Sequence, residues 1–518
     1  MLFRCRKKGF TRLRKRLKTD IMSGLSTLKK SLLILSGVFL LVILITVLWT
    51  ASPLAMADEG DYTRLDPAKA QSIDWPAITD EATVYLQDLL RMRTIRGDEH
   101  QASLYIQKIL EKEGIAVRIY QHPEDPRRSN LVAEIIPDDI APEYKDEGII
   151  LTGHSDVVEV NPERWKQPPF SGALVDGKIW GRGAIDMKGH IVMGLMSMLL
   201  VKRLDVPLKR KLMLLVLADE ESDGKYGVKF MVEKHRDVFD GYKYVFNEGG
   251  LGTEGVAVPG SKIFNIQWAE KGKIWAELSV DGESSHGARP PEQYALLNMI
   301  QFLNAVHEME TDLTIVPEME TFLYQMGEAY SFPNSFFMKR NNNPLIRPLI
   351  LPALKANRYL VAMTTNTRAF TGLNTNEDEG INVVADKAFA KIDIRLLPNT
   401  TPEQYLDKLE ALAEPYGVKI KPTGTIVPNS SPMDSEFFKV MSRVSVDNVP
   451  GSVVTPLITP GNTDNTYLRE IGLQCYGLTP VLLNSEELGS THSDNEYLSQ
   501  ENLKLGTKIM FETVVGMN

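Results

Sequence analysis

Apolar and polar positions along the chain alternate between helix-like and strand-like spacing. Apolar residues recur with helical spacing over 80–95 and 99–115. Short apolar runs typical of strands follow, with helical stretches between the last of them; the runs are 117–121, 130–136, 148–153, 211–218 and 242–247, and the helical stretches are 187–204 and 228–238. This order predicts an α/β domain over 79–271, with a mixed, mostly parallel sheet covered on both faces.

A second pattern begins near Gly272. Residues 273–280 alternate as a half-buried strand, a helix follows Pro290, and 387–397 with 401–417 repeats the order of strand and helix. Two such units predict a small α+β domain of the ferredoxin-like type over 272–422, inserted into the α/β domain, which resumes over 423–518. Residues 311–360 are rich in Pro, Asn and aromatic residues, which predicts an extended excursion rather than a core element.

The N-terminus differs from the rest of the chain. Residues 1–30 carry eleven Lys and Arg against one acid, and the apolar run 31–50 follows them. The run is long enough to span a bilayer, and its basic flank predicts that everything after it lies on the non-cytoplasmic side, in the periplasm, a lumen or the extracellular space. The alternative is a cleaved signal peptide with a cleavage site at Ala55–Ala57, which predicts a secreted protein. Residues 51–78 are predicted to be a polar linker.

Composition and charge exclude several classes of protein. A chain of 518 residues is too long for one compact hydrophobic core, so we expect more than one domain. Its content of 43% hydrophobic and 24% charged residues is ordinary for a globular protein. Residues 1–30 hold eleven of the 58 bases and one of the 67 acids, which leaves 47 bases and 66 acids, a net charge of −19. We therefore expect no nucleic-acid partner, and expect the basic head to face anionic lipid. Cys5 and Cys475 would lie on opposite sides of the membrane, which excludes a disulfide between them, and two cysteines are too few for a thiolate metal site.

Ionisable residues gather where the predicted strands end. These residues are His154, Asp186, Glu220, Glu221 and Glu248, with His492 in a later loop of small residues. Ligands of parallel sheets collect at the carboxyl ends of the strands. Each residue alone has a simpler explanation, such as a helix cap for Asp186 or a solvated loop for the two adjacent glutamates. Together, converging carboxylates would repel one another unless a cation lay between them.

The ligand types favour a pair of metal ions. Two imidazoles with three or four carboxylates and no thiolate suit zinc first, with cobalt or manganese possible. Five ligands are too many for one tetrahedral ion and suit two ions that share a carboxylate and activate a water. Of the adjacent Glu220 and Glu221, one can bind metal while the other accepts the proton of the water. Asp156 is expected to accept the ring N–H of His154 and so to orient the imidazole.

Several motifs, taken in order, resemble the dinuclear zinc peptidases that include aminoacylase-1, glutamate carboxypeptidase and carboxypeptidase S. The motifs are GHSDVV, WGRGAIDMKG, DEESDGKYG, NEGG, SSHGARP and THSDNEYL. The resemblance covers roughly residues 80 to 515 and is greatest to the carboxypeptidase S and N-acyl-amino-acid hydrolase branch. It implies two zinc ions per subunit, a cis peptide bond after the shared aspartate, and the general base Glu220. The implied ligands are His154, Asp186 and Glu248 for one ion, and Asp186, Glu221 and His492 for the other.

The resemblance also implies how a substrate is bound. The inserted domain would serve as a lid or dimerisation domain, and His286 would reach the substrate oxyanion in its own or a partner subunit. Asn382 and Arg395 would bind the free carboxylate of the substrate, for which arginine offers a bidentate fork. The alternatives are a turn histidine and a structural salt bridge. Thr466 departs from the family, because aminoacylase-like members often have an arginine at that position.

The sequence therefore predicts a membrane-anchored metallohydrolase that cleaves an amide next to a free carboxylate, in a small peptide or an N-acyl amino acid. One alternative is a non-catalytic metal-binding or scaffolding homologue that dimerises through its lid. Against it, all six positions for the ligands and base are intact. A two-metal phosphoesterase would use the same ligand types, but the order of the motifs argues against it.

Overall fold

The computed structural model describes residues 62–310, 313–375 and 380–518. The basic head 1–30 and the predicted membrane span 31–50 lie outside these ranges. Within them, none of the helices has the length and apolar character needed to cross a bilayer. The anchor, its cleavage and the side of the membrane therefore stay predictions.

Strands and helices alternate through most of the described chain. The strands are β1 (Ala116–His122), β2 (Asp125–Ile135), β3 (Gly148–His154), β4 (Ala173–Val175), β5 (Lys178–Trp180), β6 (Leu212–Leu217), β7 (Tyr242–Glu254), β8 (Lys262–Glu270), β9 (Gly272–Asp281), β10 (Ser285–His286), β11 (Thr367–Thr375), β12 (Val383–Val384), β13 (Lys387–Leu396), β14 (Lys419–Ile426), β15 (Asn429–Ser430), β16 (Val453–Thr459), β17 (Gln474–Leu483) and β18 (Tyr497–Ser499). The α-helices are α1 (Pro67–Ser72), α2 (Trp75–Arg91), α3 (Glu99–Lys112), α4 (Lys188–Arg203), α5 (Val228–Lys234), α6 (Ala295–Glu308), α7 (Pro317–Ala329), α8 (Asn334–Met338), α9 (Arg347–Ala356), α10 (Arg358–Thr364), α11 (Pro402–Ala413), α12 (Glu436–Asn448), α13 (Asn465–Glu470), α14 (Ser485–Ser490) and α15 (Gln500–Gly516).

The α/β domain is built on a nine-stranded mixed sheet. Its order is β1-β2-β6-β3-β7-β17-β8-β15, and β16 pairs with β8. The central strands β6, β3, β7 and β17 run parallel, whereas β1, β2 and β15 are antiparallel to their neighbours. Strands β3 and β6 are buried along their whole length, as expected for continuous apolar runs covered on both faces. The α/β fold and the mixed sheet predicted from the sequence are thus confirmed.

Helices cover both faces of this sheet. On one face α2, α3, α4, α12 and α15 bury a large apolar cluster with residues such as Leu151 and Leu214. On the other face α5 and α13 pack against the alternate residues of the same strands, such as Ile150 and Met213. The parallel strands are therefore held in a rigid frame, and their carboxyl ends meet at one edge.

The region predicted as a linker is partly helical. Helix α1 and the start of α2 fall within 51–78, and Asp66 and Asp74 cap them by accepting hydrogen bonds from backbone N–H groups. Tyr62 and Arg64 both bind Asp447 of α12, at 2.9 and 2.8 Å. The described part of this segment is therefore more ordered than its composition indicates, because caps and prolines at helix starts resemble loop composition.

The insertion contains a four-stranded antiparallel sheet in the order β11-β13-β9-β14. With α6 and α11, its elements follow the chain order βαββαβ, the ferredoxin-like arrangement expected from the sequence. Buried and exposed residues alternate along β9 and β13, and the buried face packs on α6 and α11. The sheet continues to Ile426, beyond the predicted end of the insertion at residue 422.

The segment predicted as an extended excursion, 311–360, is helical over most of its described length. It forms α7, α8, α9 and the start of α10, which share an apolar cluster that includes Met319, Phe322 and Leu323. The cluster also includes Leu457, so it packs against β16 of the main sheet. The prediction was wrong because it treated prolines as residues that break helices. Two of these prolines occupy the first turns of α7 and α9, where the N–H that proline lacks would have no partner within the helix.

Candidate metal centre

The predicted ligands lie together at the carboxyl edge of the central strands. His154 is the last residue of β3, Glu221 follows β6, and Glu248 lies in β7. Asp186 belongs to the loop between β5 and α4, and His492 follows α14. The parallel pairing of β3 with β6 and β7 brings the first three to one edge, and the two loops reach over them.

Asp186 faces a different histidine with each of its carboxylate oxygens. Its Oδ1 lies 3.1 Å from Nε2 of His154, and its Oδ2 lies 2.9 Å from Nε2 of His492. Glu248 lies 3.5 Å from the first imidazole, and Glu221 lies 3.0 Å from the second. Two groups of three possible ligands therefore share one aspartate, and the ligand atoms of each group lie within 4.8 Å of one another.

The side chains of this site perturb one another's protonation. Burial alone would raise the pKa of Asp186, but hydrogen bonds to the two histidines hold that pKa below its ordinary value. Burial lowers the pKa of His154, but the charge of Glu248 and the adjacent aspartates outweigh it and raise that pKa well above normal. The hydrogen bonds of His492 to Asp186 and Glu221 raise its pKa to about 10. In the metal-free protein, the two imidazoles therefore hold protons at neutral pH.

Several acids of the site have raised pKa values, because they are buried close to one another and the neighbouring positive charge does not offset their repulsion. Burial, with the charge of Glu248, raises the pKa of Glu220 well above its ordinary value. Burial and the charge of Asp186 raise the pKa of Glu248 in the same way. Burial also raises the pKa of the neighbouring Asp464 to about 8. Divalent cations would relieve this repulsion, and the imidazole and carboxylate donors suit zinc or a similar ion, so the residues present fit a metal site.

Asp156 supports the site differently from the prediction. Nδ1 of His154 donates to the backbone carbonyl of Asp156 at 2.9 Å, whereas the nearer carboxylate oxygen is 3.4 Å away. The carboxylate instead accepts the backbone N–H groups of Glu220 and Glu221, each at 3.1 Å. Asp156 thus fixes the backbone that carries the two glutamates, and its carbonyl sets the tautomer of His154.

A buried carboxylate that the sequence analysis did not single out holds the loop of Asp186. Glu496 pairs with Arg182 at 2.5 Å and accepts the backbone N–H groups of Gly183, Ile185 and Asp186 at 2.9, 2.7 and 3.1 Å. Antiparallel pairing of β18 with β5 places it there. The peptide bond after Asp186 is cis, as the resemblance implied. Only the occurrence of Glu496 within the motif THSDNEYL could have pointed to it.

Arg395 lies beside the metal centre, on the wall of a cavity of about 230 Å³ that Glu220 also lines. Its guanidinium donates to Asp393 at 2.8 and 3.1 Å and to the side-chain oxygen of Asn462 at 3.2 Å. The structure therefore contains the salt bridge considered as the alternative. It also places this cation at the junction of the insertion and the α/β domain, within reach of the cavity.

The remaining substrate-binding candidates do not line this cavity. His286 and Asn382 meet in the two-stranded β10–β12 ribbon of the insertion, where the N–H of Gly287 donates to the carbonyl of Asn382 at 2.6 Å. Nδ1 of His286 accepts from the N–H of Ala288 at 3.0 Å. Thr466 is buried and donates to Glu270 at 2.7 Å, so it faces the α/β core.

Comparison with known proteins links this site to hydrolases. The model of peptidase family M20/M25/M40 matches residues 150–515. The N-fatty-acyl-amino acid synthase/hydrolase PM20D1 of Xenopus tropicalis is 28% identical, with 69% of this chain and 70% of that protein covered. The probable carboxypeptidase S-like 2 of Dictyostelium discoideum is also 28% identical, with 69% of each covered. Aminoacylase-1 of the same organism is 25% identical, with 68% of this chain and 78% of that protein covered.

Solved structures share the fold at lower identity. The M20 family metallo-carboxypeptidase Sso-CP2 from Sulfolobus solfataricus has a TM-score of 0.62 at 18% identity, with 85% of this chain and 99% of that chain covered. Human carnosine dipeptidase 1 has a TM-score of 0.56 at 14% identity, with 86% and 98% covered. These likenesses extend to the fold of nearly the whole described chain.

Proposed function

Since the chain belongs to peptidase family M20/M25/M40, we propose that it hydrolyses an amide bond next to a free carboxylate with the help of two metal ions. Family membership makes it a metallopeptidase or aminoacylase-type hydrolase. The observation that carries the finer proposal is the position of Asp186, whose two oxygens face His154 and His492 separately. A carboxylate in that position can bridge two ions.

Zinc is the metal that the donor set favours, with cobalt or manganese as substitutes. His154, Asp186 and Glu248 would hold one ion, and Asp186, Glu221 and His492 the other. When bound, such a pair polarises the substrate carbonyl and makes a water nucleophilic at neutral pH. Asp156 and Glu496 keep the ligand-bearing loops in place through the backbone hydrogen bonds described above.

Glu220 would move the proton in this reaction. Its backbone is fixed by Asp156, it lines the cavity, and it is not a member of either group of ligands. In the proposed role, its carboxylate takes a proton from the attacking water and delivers it to the nitrogen of the leaving amine. A base with a pKa raised by burial is suited to return that proton.

The substrate is proposed to be an N-acyl amino acid, with a small peptide as the second candidate. Two relatives are named as a fatty-acyl-amino acid synthase/hydrolase and as carboxypeptidase S-like, and both kinds of substrate end in a free carboxylate. Arg395 and Asn462 line the cavity beside Glu220 and can bind such a group. Hydrolysis of an N-acyl amino acid should therefore exceed that of its carboxamide, which has the same acyl group and no charge.

This comparison tests the proposal directly. The zinc-loaded protein is assayed with a matched acid and carboxamide, and with dipeptides, by detecting the released amine. Cleavage of the acid alone supports recognition of the carboxylate. Equal cleavage of both compounds would contradict it, and no cleavage of any would favour the non-catalytic homologue.

We also propose that the insertion forms the interface of a homodimer and that His286 reaches the substrate of the partner. His286 lies in an exposed ribbon away from the cavity of its own chain, which supports a role in another subunit. Sedimentation velocity at several concentrations tests this association. Mixing inactive Glu220→Gln and His286→Ala subunits should restore activity if each active site needs both chains.

We further propose, from the predicted membrane anchor, that the enzyme acts at the non-cytoplasmic face of a membrane.

A further inference from the structure

One helical part of the insertion differs in charge from the rest of the protein. Residues 331–364, which we call the cationic helical segment, contain five bases and no acid. The bases are Lys339, Arg340, Arg347, Lys355 and Arg358. The chain after the basic head carries an excess of acids, so this segment is a positive region on a negative protein.

Two of these bases stabilise the segment itself. Arg347 forms an ion pair with Glu320 of α7, and Lys339 forms one with Glu328 at 2.7 Å. Arg340 packs over the ring of Phe336 at 4.3 Å. The two ion pairs attach α8 and α9 to α7, whereas the contact of Arg340 stays within the α8 region. Lys355 at the end of α9 and Arg358 at the start of α10 take part in none of these contacts.

Lys355 and Arg358 are exposed and have no acidic partner among the residues that the structure describes. Among the described residues, no carboxylate lies within ion-pair distance, 4.0 Å, of either side chain. Within the described part of the chain, the guanidinium of Arg358 lies 5.1 Å from the ring of the neighbouring Tyr359 and within 3.4 Å of its hydroxyl. Two positive charges therefore project into solvent from adjacent turns of α9 and α10.

The outward face of α9 is apolar. Its inward side chains, Ile350 and Leu354, are buried in the cluster that packs on β16. Beside them Leu349, which is 63% exposed, and Ala353 line the mouth of a cavity that Ile350 and Leu354 also line, and Pro352 is exposed on the outward side of the helix. A helix on the surface of a soluble protein usually presents polar residues to water. Apart from Lys355, the exposed residues of α9 are therefore apolar, which is unusual for a helix that meets only water.

Further apolar side chains extend this surface. Phe332 is 81% exposed and Tyr359 is 67% exposed, and Leu345 is exposed at the start of α9. A cavity of about 360 Å³ opens among α7, α8, α9 and α10, and most of its lining is apolar. These exposed apolar side chains all belong to one stretch of 28 residues, and a group of exposed apolar residues marks an interaction site more often than single ones do.

We propose that the cationic helical segment docks on an anionic lipid bilayer, with Leu349 entering the interface and Lys355 and Arg358 facing the headgroups. Apolar side chains flanked by unpaired bases are the features that let helices lie in a membrane interface. The sequence also places an apolar run, 31–50, only eleven residues before Tyr62, a tether that spans at most roughly 40 Å. This inference concerns the membrane surface and does not depend on the proposed reaction.

The test uses fluorescence quenching by brominated lipids. Full-length protein carrying Cys5→Ser is labelled at Leu349→Cys with an environment-sensitive dye and reconstituted into vesicles with brominated acyl chains; Cys475 is buried. Val84→Cys provides the control, because Val84 is an exposed apolar residue of helix α2, 51% exposed. We expect quenching of the label at 349 in phosphatidylglycerol vesicles, weak quenching in phosphatidylcholine vesicles, and weak quenching of the label at 84 in both.

A second variant tests whether docking depends on the charges of Lys355 and Arg358 and is not caused by the dye itself. Lys355→Gln with Arg358→Gln should shift the ratio of docked to undocked segment roughly 30-fold towards undocked, since each base near an anionic surface contributes about a fivefold gain. An unchanged circular-dichroism spectrum and melting temperature show that this variant is folded. Equal quenching at 349 and 84, or quenching at 349 that ignores lipid charge, would overturn the proposal. The proposal would also be overturned if the emission of the dye at 349 shifted with protein concentration while brominated lipids did not quench it, because this result would indicate self-association.

Discussion

At the scale of single residues, Glu220 is the group whose proposed role can be separated from metal binding. Glu220→Gln keeps the shape of the side chain and removes its ability to take a proton. We expect kcat to fall by about 10²- to 10⁴-fold, the usual contribution of a general base, with metal content unchanged. Glu233→Gln, an exposed position on α5, is the control. Steady-state kinetics with metal analysis decides the matter, and near-normal turnover would remove Glu220 from this role.

Glu496 should affect the metal through the loop that it holds. Glu496→Gln removes the charge that pairs with Arg182 and weakens the acceptors for three backbone N–H groups beside Asp186. We expect zinc affinity to fall by about 10- to 100-fold, as when other partners of ligating groups are lost. Competition with a chelator measures this affinity, and Glu501→Gln on the exposed side of α15 is the control. Unchanged affinity would assign Glu496 to stability alone.

Metal binding should strengthen as pH rises. In the metal-free protein the pKa of His492 is raised to about 10 and that of His154 is also raised, so both rings carry protons at neutral pH. An imidazole must lose its proton to bind metal, and each proton displaced makes the apparent affinity about tenfold greater per pH unit. Chelator competition at about pH 6 and about pH 8 measures the slope. An affinity independent of pH in this range would contradict the protonation states described here.

The sequence predicted those site residues that both have metal-binding side chains and lie at the end of a predicted strand. His154, Glu221 and Glu248 each follow or occupy a strand that the apolar pattern predicts, so their convergence follows from parallel pairing. The contacts of Asp156 and Glu496 could not be predicted in the same way. They depend on backbone N–H groups of loops, and no pattern in the sequence specifies where such groups point.

At the scale of elements, β13 connects the insertion to the active-site cavity through Arg395. Arg395→Gln should raise KM for an acidic substrate by roughly 10- to 150-fold, the range for a lost hydrogen bond to a charged group, and should leave KM for the carboxamide unchanged. Lys391→Gln, exposed on the same strand, is the control. An equal loss for both substrates would show that Arg395 serves only its salt bridge with Asp393.

The elements of the α/β domain were predictable and those of the 311–360 segment were not. Continuous apolar runs specify buried strands such as β3 and β6, and regular alternation specifies β9 and β13 of the insertion; β11 and β14, which complete its βαββαβ order, lack that alternation and were not predicted. In the missed segment, Pro317 and Pro348 lie in the first turns of helices, where proline is compatible with helix. The helical spacing of Met319, Phe322 and Met326 was the signal that identifies α7.

At the scale of the whole molecule, the metal centre joins two distant parts of the chain. His492 comes from the segment after the insertion, and the other ligands come from the segment before it. The site can therefore form only when the part of the chain after the insertion has packed against the part before it, as β17 does on β7. The protein after its basic head is acidic overall, and the cationic helical segment, with five bases and no acid, departs from that balance.

The claim on which the whole account depends is that Asp186 bridges two metal ions. A crystal structure of the zinc-loaded protein, with anomalous differences measured on both sides of the zinc absorption edge, tests this directly. The account predicts two anomalous peaks about 3.5–4 Å apart, one on each side of the Asp186 carboxylate. A single peak, or peaks away from His154 and His492, would contradict it.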